Sequence, residues 1–164
     1  MQRPIDTKLF GKRETYLNIS FTNKKRIQIN KPCNERFIKE SGKKFIPIEK
    51  LHYDDNSQSY KLCEGTPLIA RINLKTLSIF NNEMYRVEKI NQNSIIVKNE
   101  MNEVEIDIKN ISRTFNSAYC ITTHKSQGQT FNEPYTIYEW DKMDSTLRYV
   151  ALSRSTEKQY INII

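Results

Sequence analysis

Residues 122–130, Thr-Thr-His-Lys-Ser-Gln-Gly-Gln-Thr, gather hydroxyls, an imidazole, an ammonium group and two amides into one short stretch. Gly128 lacks a Cβ and lets backbone approach a ligand closely. Donors of this kind, at the carboxyl end of a parallel strand, suit contacts to phosphate. Further on, Tyr149-Val-Ala-Leu-Ser-Arg154 closes an apolar-patterned stretch with a guanidinium. Such a group can neutralise charge spread over a transferring phosphoryl group. Plainer readings fit the same residues: a polar turn before a helix with Ser126 as its cap, and a salt bridge from Arg154 to Glu157.

The rest of a phosphoryl-transfer site is missing from the sequence. There is no Gly-x-x-x-x-Gly-Lys-Ser/Thr, and so no main-chain cradle for a nucleotide's phosphates. No apolar run ends in paired acidic residues to hold magnesium. His124, Lys125 and Ser126 adjoin, but no acid is fixed to orient the histidine as in a hydrolytic triad. Cys33, Cys63 and Cys120, with His52 and His124, lack metal-ligand spacing, so no metal site is expected. Three buried thiols in a reducing compartment, cytoplasmic or nuclear, fit the cysteines better.

The totals describe a globular chain of 164 residues, 37% hydrophobic and 27% charged, enough for one core with a small inserted module. No apolar run approaches a membrane span, and the first residues lack the apolar centre of a signal peptide. Heavy use of Ile, Asn and Lys hints at an AT-rich genome. The charge of +7 is uneven. Residues 1–50 hold 13 Lys or Arg against 5 Asp or Glu, a net of +8, while residues 51–164 hold 13 against 14, a net of −1. A polyanion would meet the first third electrostatically, unless this is merely a solvated basic face.

Elements must position these groups. Tyr16–Thr22 reads as a strand ending in helix-capping residues. Lys24–Ile38 reads as helical turns interrupted at Pro32, with main-chain donors near Asn23–Arg26 able to meet a phosphate. A short strand fits residues 44–48 within a polar connection, and another follows Gly65. Segments 84–90, 94–98 and 103–108, separated by turns, read as a small antiparallel barrel or meander. Ala118–Thr122 and Pro134–Glu139 return to single strands. Asp144 can cap a helix reaching about Ser153, with Leu147, Val150 and Ala151 inward, before a last strand at 159–164. The alternation predicts an α/β fold, an open parallel sheet with the antiparallel module inserted.

Thr123-His-Lys-Ser-Gln-Gly128 with Thr130, followed by Tyr149-Val-Ala-Leu-Ser-Arg154, closely resembles the fifth and sixth motifs of superfamily 1 DNA helicases of the RecD-like type. Ile19-Ser-Phe-Thr-Asn-Lys-Lys-Arg-Ile-Gln-Ile-Asn30 resembles the fourth motif. Gly65-Thr-Pro-Leu-Ile-Ala with Asn81-Asn-Glu83 resembles the linker into the family's small β-barrel, although relatives often have Asn-Gly where this chain has Asn82-Glu83. The resemblance implies the second, C-terminal RecA-like domain of a viral or AT-rich-genome helicase. Its first part would be 1–80, an SH3-like barrel 81–114, and the remainder 115–164. It implies that the first RecA-like domain, absent here, holds most of the ATP and Mg2+. Arg154 would reach the γ-phosphate; Gln127, Gly128 and Arg26 would lie at the nucleotide cleft. Thr22, Asn23, Thr123, His124, Lys125, Ser126 and Thr130 would meet single-stranded DNA. A viral replication compartment or virion joins the expected locations. The competing reading is a stand-alone nucleic-acid-binding module without ATPase activity.

Overall fold

The computed structural model describes residues 4–164. The chain forms two compact units, one joining the segment up to Arg26 to Cys120–Ile164, the other being Ile27–Tyr119. In chain order the strands are β1 (Leu17–Ser20), β2 (Ile46–Ile48), β3 (Tyr60–Leu62), β4 (Pro67–Ala70), β5 (Met84–Ile90), β6 (Ser94–Lys98), β7 (Glu103–Asp107), β8 (Phe115–Ser117), β9 (Cys120–Thr122), β10 (Tyr135–Ile137) and β11 (Ile161–Ile163). The α-helices are α1 (Asn23–Ser41), α2 (Ile111–Thr114), α3 (Thr123–Ser126) and α4 (Ser145–Leu152).

The first unit is built on a parallel sheet in the order β11-β10-β1-β9. Leu17, Asn18 and Ile19 pair with Tyr135, Thr136 and Ile137, while Ser20 faces Thr122 on the other side. Every residue of these four strands is buried, as expected of a parallel sheet covered on both faces. Parallel pairing also puts the ends of β1, β9 and β10 on one edge, where the loops of interest begin. The Tyr135 hydroxyl donates to the Ala151 carbonyl at 2.7 Å and so anchors α4. Burial raises this phenol above its ordinary value, keeping it a donor. Phe131 packs edge-on against it at 5.0 Å. Gly11 lies along β11, its carbonyl accepting from Ile163 N–H at 2.9 Å. A Cβ there would collide with the end of the Asn162 side chain, which would have to move and give up its bond from Arg13 N–H.

In the second unit α1 continues through Pro32, where the sequence predicts an interruption. Proline removes the bond to the carbonyl four residues back, but Pro32 and Gln28 are both exposed, so water can serve the orphaned acceptor. β2 and β3 form an antiparallel pair, β3 being a strand that the polar sequence around it does not predict. The larger antiparallel sheet runs β7-β6-β5-β4-β8. Leu68, Val87, Ile95, Val97, Ile106 and Phe115 meet in its core, and β7 alternates buried with exposed residues, the pattern of a half-covered sheet.

Among the described residues, no ladder closes this sheet into a barrel. Beside the sheet, Asn102, just before β7, donates to the carbonyl of Ser78 at 3.1 Å. Of the expected strand Ala118–Thr122, Cys120–Thr122 forms β9 in the parallel sheet; Phe115–Ser117, just before it, forms β8, which pairs antiparallel with β4 and was not expected. At the 80–83 turn, Asn82 takes the left-handed conformation at φ 72°. Asparagine tolerates it well, so the turn forms without the glycine that relatives often carry at the next position.

Candidate functional site

The loop edge of the parallel sheet gathers most of the sequence-predicted residues. α3 starts directly from β9, and its cap is Thr122, whose hydroxyl accepts from Lys125 N–H at 3.4 Å. Ser126 therefore is not the helix's N-terminal cap. Its buried hydroxyl instead donates to the Thr123 carbonyl at 2.6 Å. Thr123 is likewise buried and donates to the Ser20 carbonyl at 3.1 Å, pinning α3 to the end of β1. His124, Gln127, Gly128 and Thr130 are exposed, and Lys125 is half-buried. Gly128 sits at φ +80° with open space around it, a backbone position that suits glycine. The short stretch thus splits into inward hydroxyls that hold the loop and outward side chains at His124, Gln127 and Thr130.

Arg154 joins this loop from the far end of α4. Its Nε donates to the Val150 carbonyl at 2.8 Å. Nη1 donates to the carbonyls of Ser126 at 2.9 Å and Gln129 at 3.2 Å, and Nη2 to the Ser153 hydroxyl at 3.0 Å. The Arg154 carbonyl accepts from Phe131 N–H at 2.7 Å. Each of these partners is neutral. No salt bridge to Glu157 forms, and among the described residues no carboxylate pairs with this guanidinium. A positive charge held by dipoles alone retains its attraction for an incoming anion.

Thr22, at the start of α1, has a partner the sequence did not suggest. Thr22 donates its N–H and hydroxyl to Glu139 Oε1 at 3.0 and 2.9 Å, while its own hydroxyl accepts from Lys25 N–H at 3.2 Å. Glu139 thus sets a carboxylate beside the first turn of α1, bonded to Thr22 rather than to the main-chain donors of residues 23–26. Asn23 is half-buried and accepts from Arg26 Nε at 3.0 Å. Arg26 itself is 3% exposed. Glu139 lies 117 residues from Thr22 and holds a left-handed backbone at φ 59°; no local pattern advertises either fact.

Burial pushes the Glu139 carboxyl up, but the Lys142 ammonium at 2.8 Å and the Thr22 donors outweigh it and hold the group below its ordinary value. A depressed folded value contributes stability above the unfolded glutamate range and loses it as pH falls through the folded one. Glu139→Gln should therefore cost about 1–3 kcal/mol at neutral pH. That deficit should shrink below about pH 4. Urea unfolding of both proteins at pH 7 and pH 3 checks this, and a deficit independent of pH would contradict it.

Comparisons with known proteins bear on this arrangement. The profile of the viral superfamily 1 RNA helicase core domain matches residues 3–162. The chain belongs to that family. Its RecA-like fold recurs in solved Pif1 helicases. A structure of two coordinating Pif1 helicases at forked double-stranded DNA matches with TM-score 0.67 and 19% identity, over 96% of this chain and 41% of that one. Pif1 from Bacteroides, in complex with ADP-AlF3 and single-stranded DNA, matches with TM-score 0.62 and 18% identity, over 90% and 39%. Pif1 from Candida albicans matches with TM-score 0.61 and 12% identity, over 90% and 44%. These likenesses establish the fold, and the chain spans about two-fifths of each of those proteins. No curated protein matches the chain by sequence. Among the described residues no helix is long and apolar enough to cross a membrane, and no group of three or more His, Cys, Asp or Glu could hold a metal ion. All three cysteines are buried, and none is in a disulfide.

Proposed function

We propose that this chain is the second RecA-like domain of an ATP-dependent DNA helicase, forming one wall of a nucleotide cleft and part of the single-strand track. The observation that carries the reading is the Arg154 guanidinium, held by three carbonyls and a hydroxyl and by no acid. It suits the terminal phosphate of an ATP bound mainly by a partner RecA-like domain, which would also hold the Mg2+. Arg154 would neutralise charge there. Its bonds to the carbonyls of Ser126 and Gln129 link that event to the strand loop.

Gln127 and Gly128 would lie at the cleft, with Arg26 supporting its edge from a buried position. His124, Lys125 and Thr130 would touch strand backbone, while Thr123 and Ser126 hold the loop in place. Thr22 and Asn23 would shape the neighbouring stretch of track around Glu139. The five-stranded antiparallel sheet would be the counterpart of the small barrel in RecD-like relatives, and the domain division 1–80, 81–114 and 115–164 follows the same resemblance. DNA is favoured as the strand by the likeness to RecD-like motifs and by the DNA-bound Pif1 structures, although the matching family is described by RNA helicases. A viral replication setting suits the family's description.

Alone, the chain should hydrolyse ATP at background rate, because it lacks a phosphate cradle. Adding a complementary first domain with single-stranded DNA should raise turnover. Robust turnover by the chain alone, lost in Arg154→Ala, would sink the half-site reading. A stand-alone binding module is the second reading, favoured by the net +8 of residues 1–50. It requires tight, salt-dependent binding by the chain that disappears when Lys24 and Lys25 are neutralised.

A further inference from the structure

The connection from β10 to α4 touches the starts of both α1 and α3, and it anchors a second guanidinium, Arg148. Within it Glu139 accepts from Thr22 beside α1, and the Met143 sulfur accepts from the Thr123 hydroxyl of α3 at 3.6 Å. Trp140 lies between these two in sequence and is 6% exposed. Arg148 is fastened to it twice. Its Nε donates to the Trp140 carbonyl at 3.1 Å, and its guanidinium carbon stands 5.2 Å from the indole centroid, within cation–π range. Asp144 lies four residues earlier, a spacing at which acid and arginine on a helix commonly pair. No such pair forms. Asp144 instead accepts from Leu147 N–H at 2.8 Å, and among the described residues neither it nor Asp141 bridges to Arg148. Arg148 Nη1 and Nη2 make no hydrogen bond among the described residues, yet neither is sealed from solvent. A planar fork of donors is thus fixed from behind by neutral groups, with two nitrogens at the surface.

We infer that Arg148 binds a backbone phosphate of the single strand, beside the stretches met by the α1 and α3 loops. This contact rests on the proposed strand track and adds a residue outside its motifs. Phosphate oxygens match the fork, which can donate parallel bonds to two of them. Position favours the strand over the nucleotide as the source of that phosphate. Arg148 hangs from the connection that holds Thr22 and Thr123, whereas Arg154 bonds the carbonyls of Ser126 and Gln129 farther along the loop. Charge around the fork is balanced. Lys142 pairs with Glu139, and the Lys25 ammonium lies 5.5 Å from the Tyr138 ring centroid. With Arg148 these cations offset Glu139, Asp141 and Asp144, so the contact relies on fixed geometry and not on a broad positive field.

Trp140 is the chain's single tryptophan, so its fluorescence reports on the group stacked over it. The chain is titrated separately with an oligothymidylate, with a strand of the same length lacking bases, and with ATP, at several salt concentrations. Both strands should change Trp140 emission saturably, because the contact is to backbone, and ATP alone should not. Arg148→Gln should weaken strand binding about tenfold and lower the slope of log affinity against log salt by roughly 0.7. Arg148→Lys should keep the slope, since the charge remains, while losing part of the affinity with the fork. Weaker binding by both variants with an unchanged slope would make Arg148 a brace for Trp140 and overturn the phosphate contact. Equal binding by Arg148→Gln would overturn it too, as would emission changes confined to ATP or to the strand with bases. If Arg148→Gln binds normally while Lys125→Ala does not, this contact fails and the strand track stands. A chain that binds neither strand overturns both.

Discussion

Replacing Arg154 by Ala, in a protein that pairs this chain with a nucleotide-cradling domain, should lower ATP turnover by about 10³-fold or more. Strand affinity measured without nucleotide should change far less. The expected size follows from the arginine's position. Its charge faces neutral acceptors only, so little of it is cancelled before an anion arrives. Arg154→Ala also removes bonds to Val150, Ser126 and Gln129, so part of its effect would be structural. Arg154→Lys separates the two contributions. Lysine keeps the charge but cannot reproduce the fork of donors that spans Val150, Ser126 and Gln129. Turnover in Arg154→Lys near the Ala level, with an unchanged melting temperature, would place the requirement on guanidinium geometry at the phosphate. Turnover close to that of the unaltered protein in Arg154→Ala would remove Arg154 from the chemistry.

Lys125→Ala should weaken single-stranded DNA binding by about tenfold or more, the loss of one charge-assisted hydrogen bond of roughly 1.5–3 kcal/mol. The slope of log affinity against log salt should fall by roughly 0.7, as for one fewer phosphate contact on a single strand. The neighbouring threonine should behave differently. Thr123 is buried and bonded to the end of β1, so Thr123→Val should cost about 1–3 kcal/mol of stability by leaving the Ser20 carbonyl without its donor. Its salt slope should be unchanged. Binding titrations at several salt concentrations, with urea unfolding of both variants, separate these outcomes. An unchanged slope in Lys125→Ala would take the loop off the strand track.

The local chemistry of this site was legible, but its long-range partners were not. β5 and β6 could be read at their observed ends because alternation and Asn-rich turns are short-range signals. Asp144 behaves as the sequence predicts, its carboxylate accepting from Leu147 N–H at 2.8 Å at the start of α4. Glu139 was invisible by the same method, because its role depends on a left-handed backbone and a partner far along the chain. Which donors of the 122–130 stretch face outward was equally hidden. A threonine beside a histidine in sequence gives no sign that one hydroxyl is used by β1 while the imidazole is exposed. Pro32 misled for a related reason: a proline in a solvent-facing turn costs α1 an acceptor's partner, not the whole helix. The sequence reads a strand at Ala118–Thr122 and gives no sign of β8 at Phe115–Ser117, whose partner β4 is far along the chain.

The most direct measurement of the central claim is the ¹⁵Nε resonance of the Arg154 guanidinium in a protein joining this chain to its nucleotide-cradling domain. It should be recorded with ADP alone and with ADP plus aluminium fluoride, in the presence of single-stranded DNA. A guanidinium that meets the terminal phosphate should shift and slow its proton exchange only when aluminium fluoride is present. A resonance identical in both states would make Arg154 an internal clamp on the Ser126–Gln129 loop, and would contradict its assignment to the nucleotide cleft.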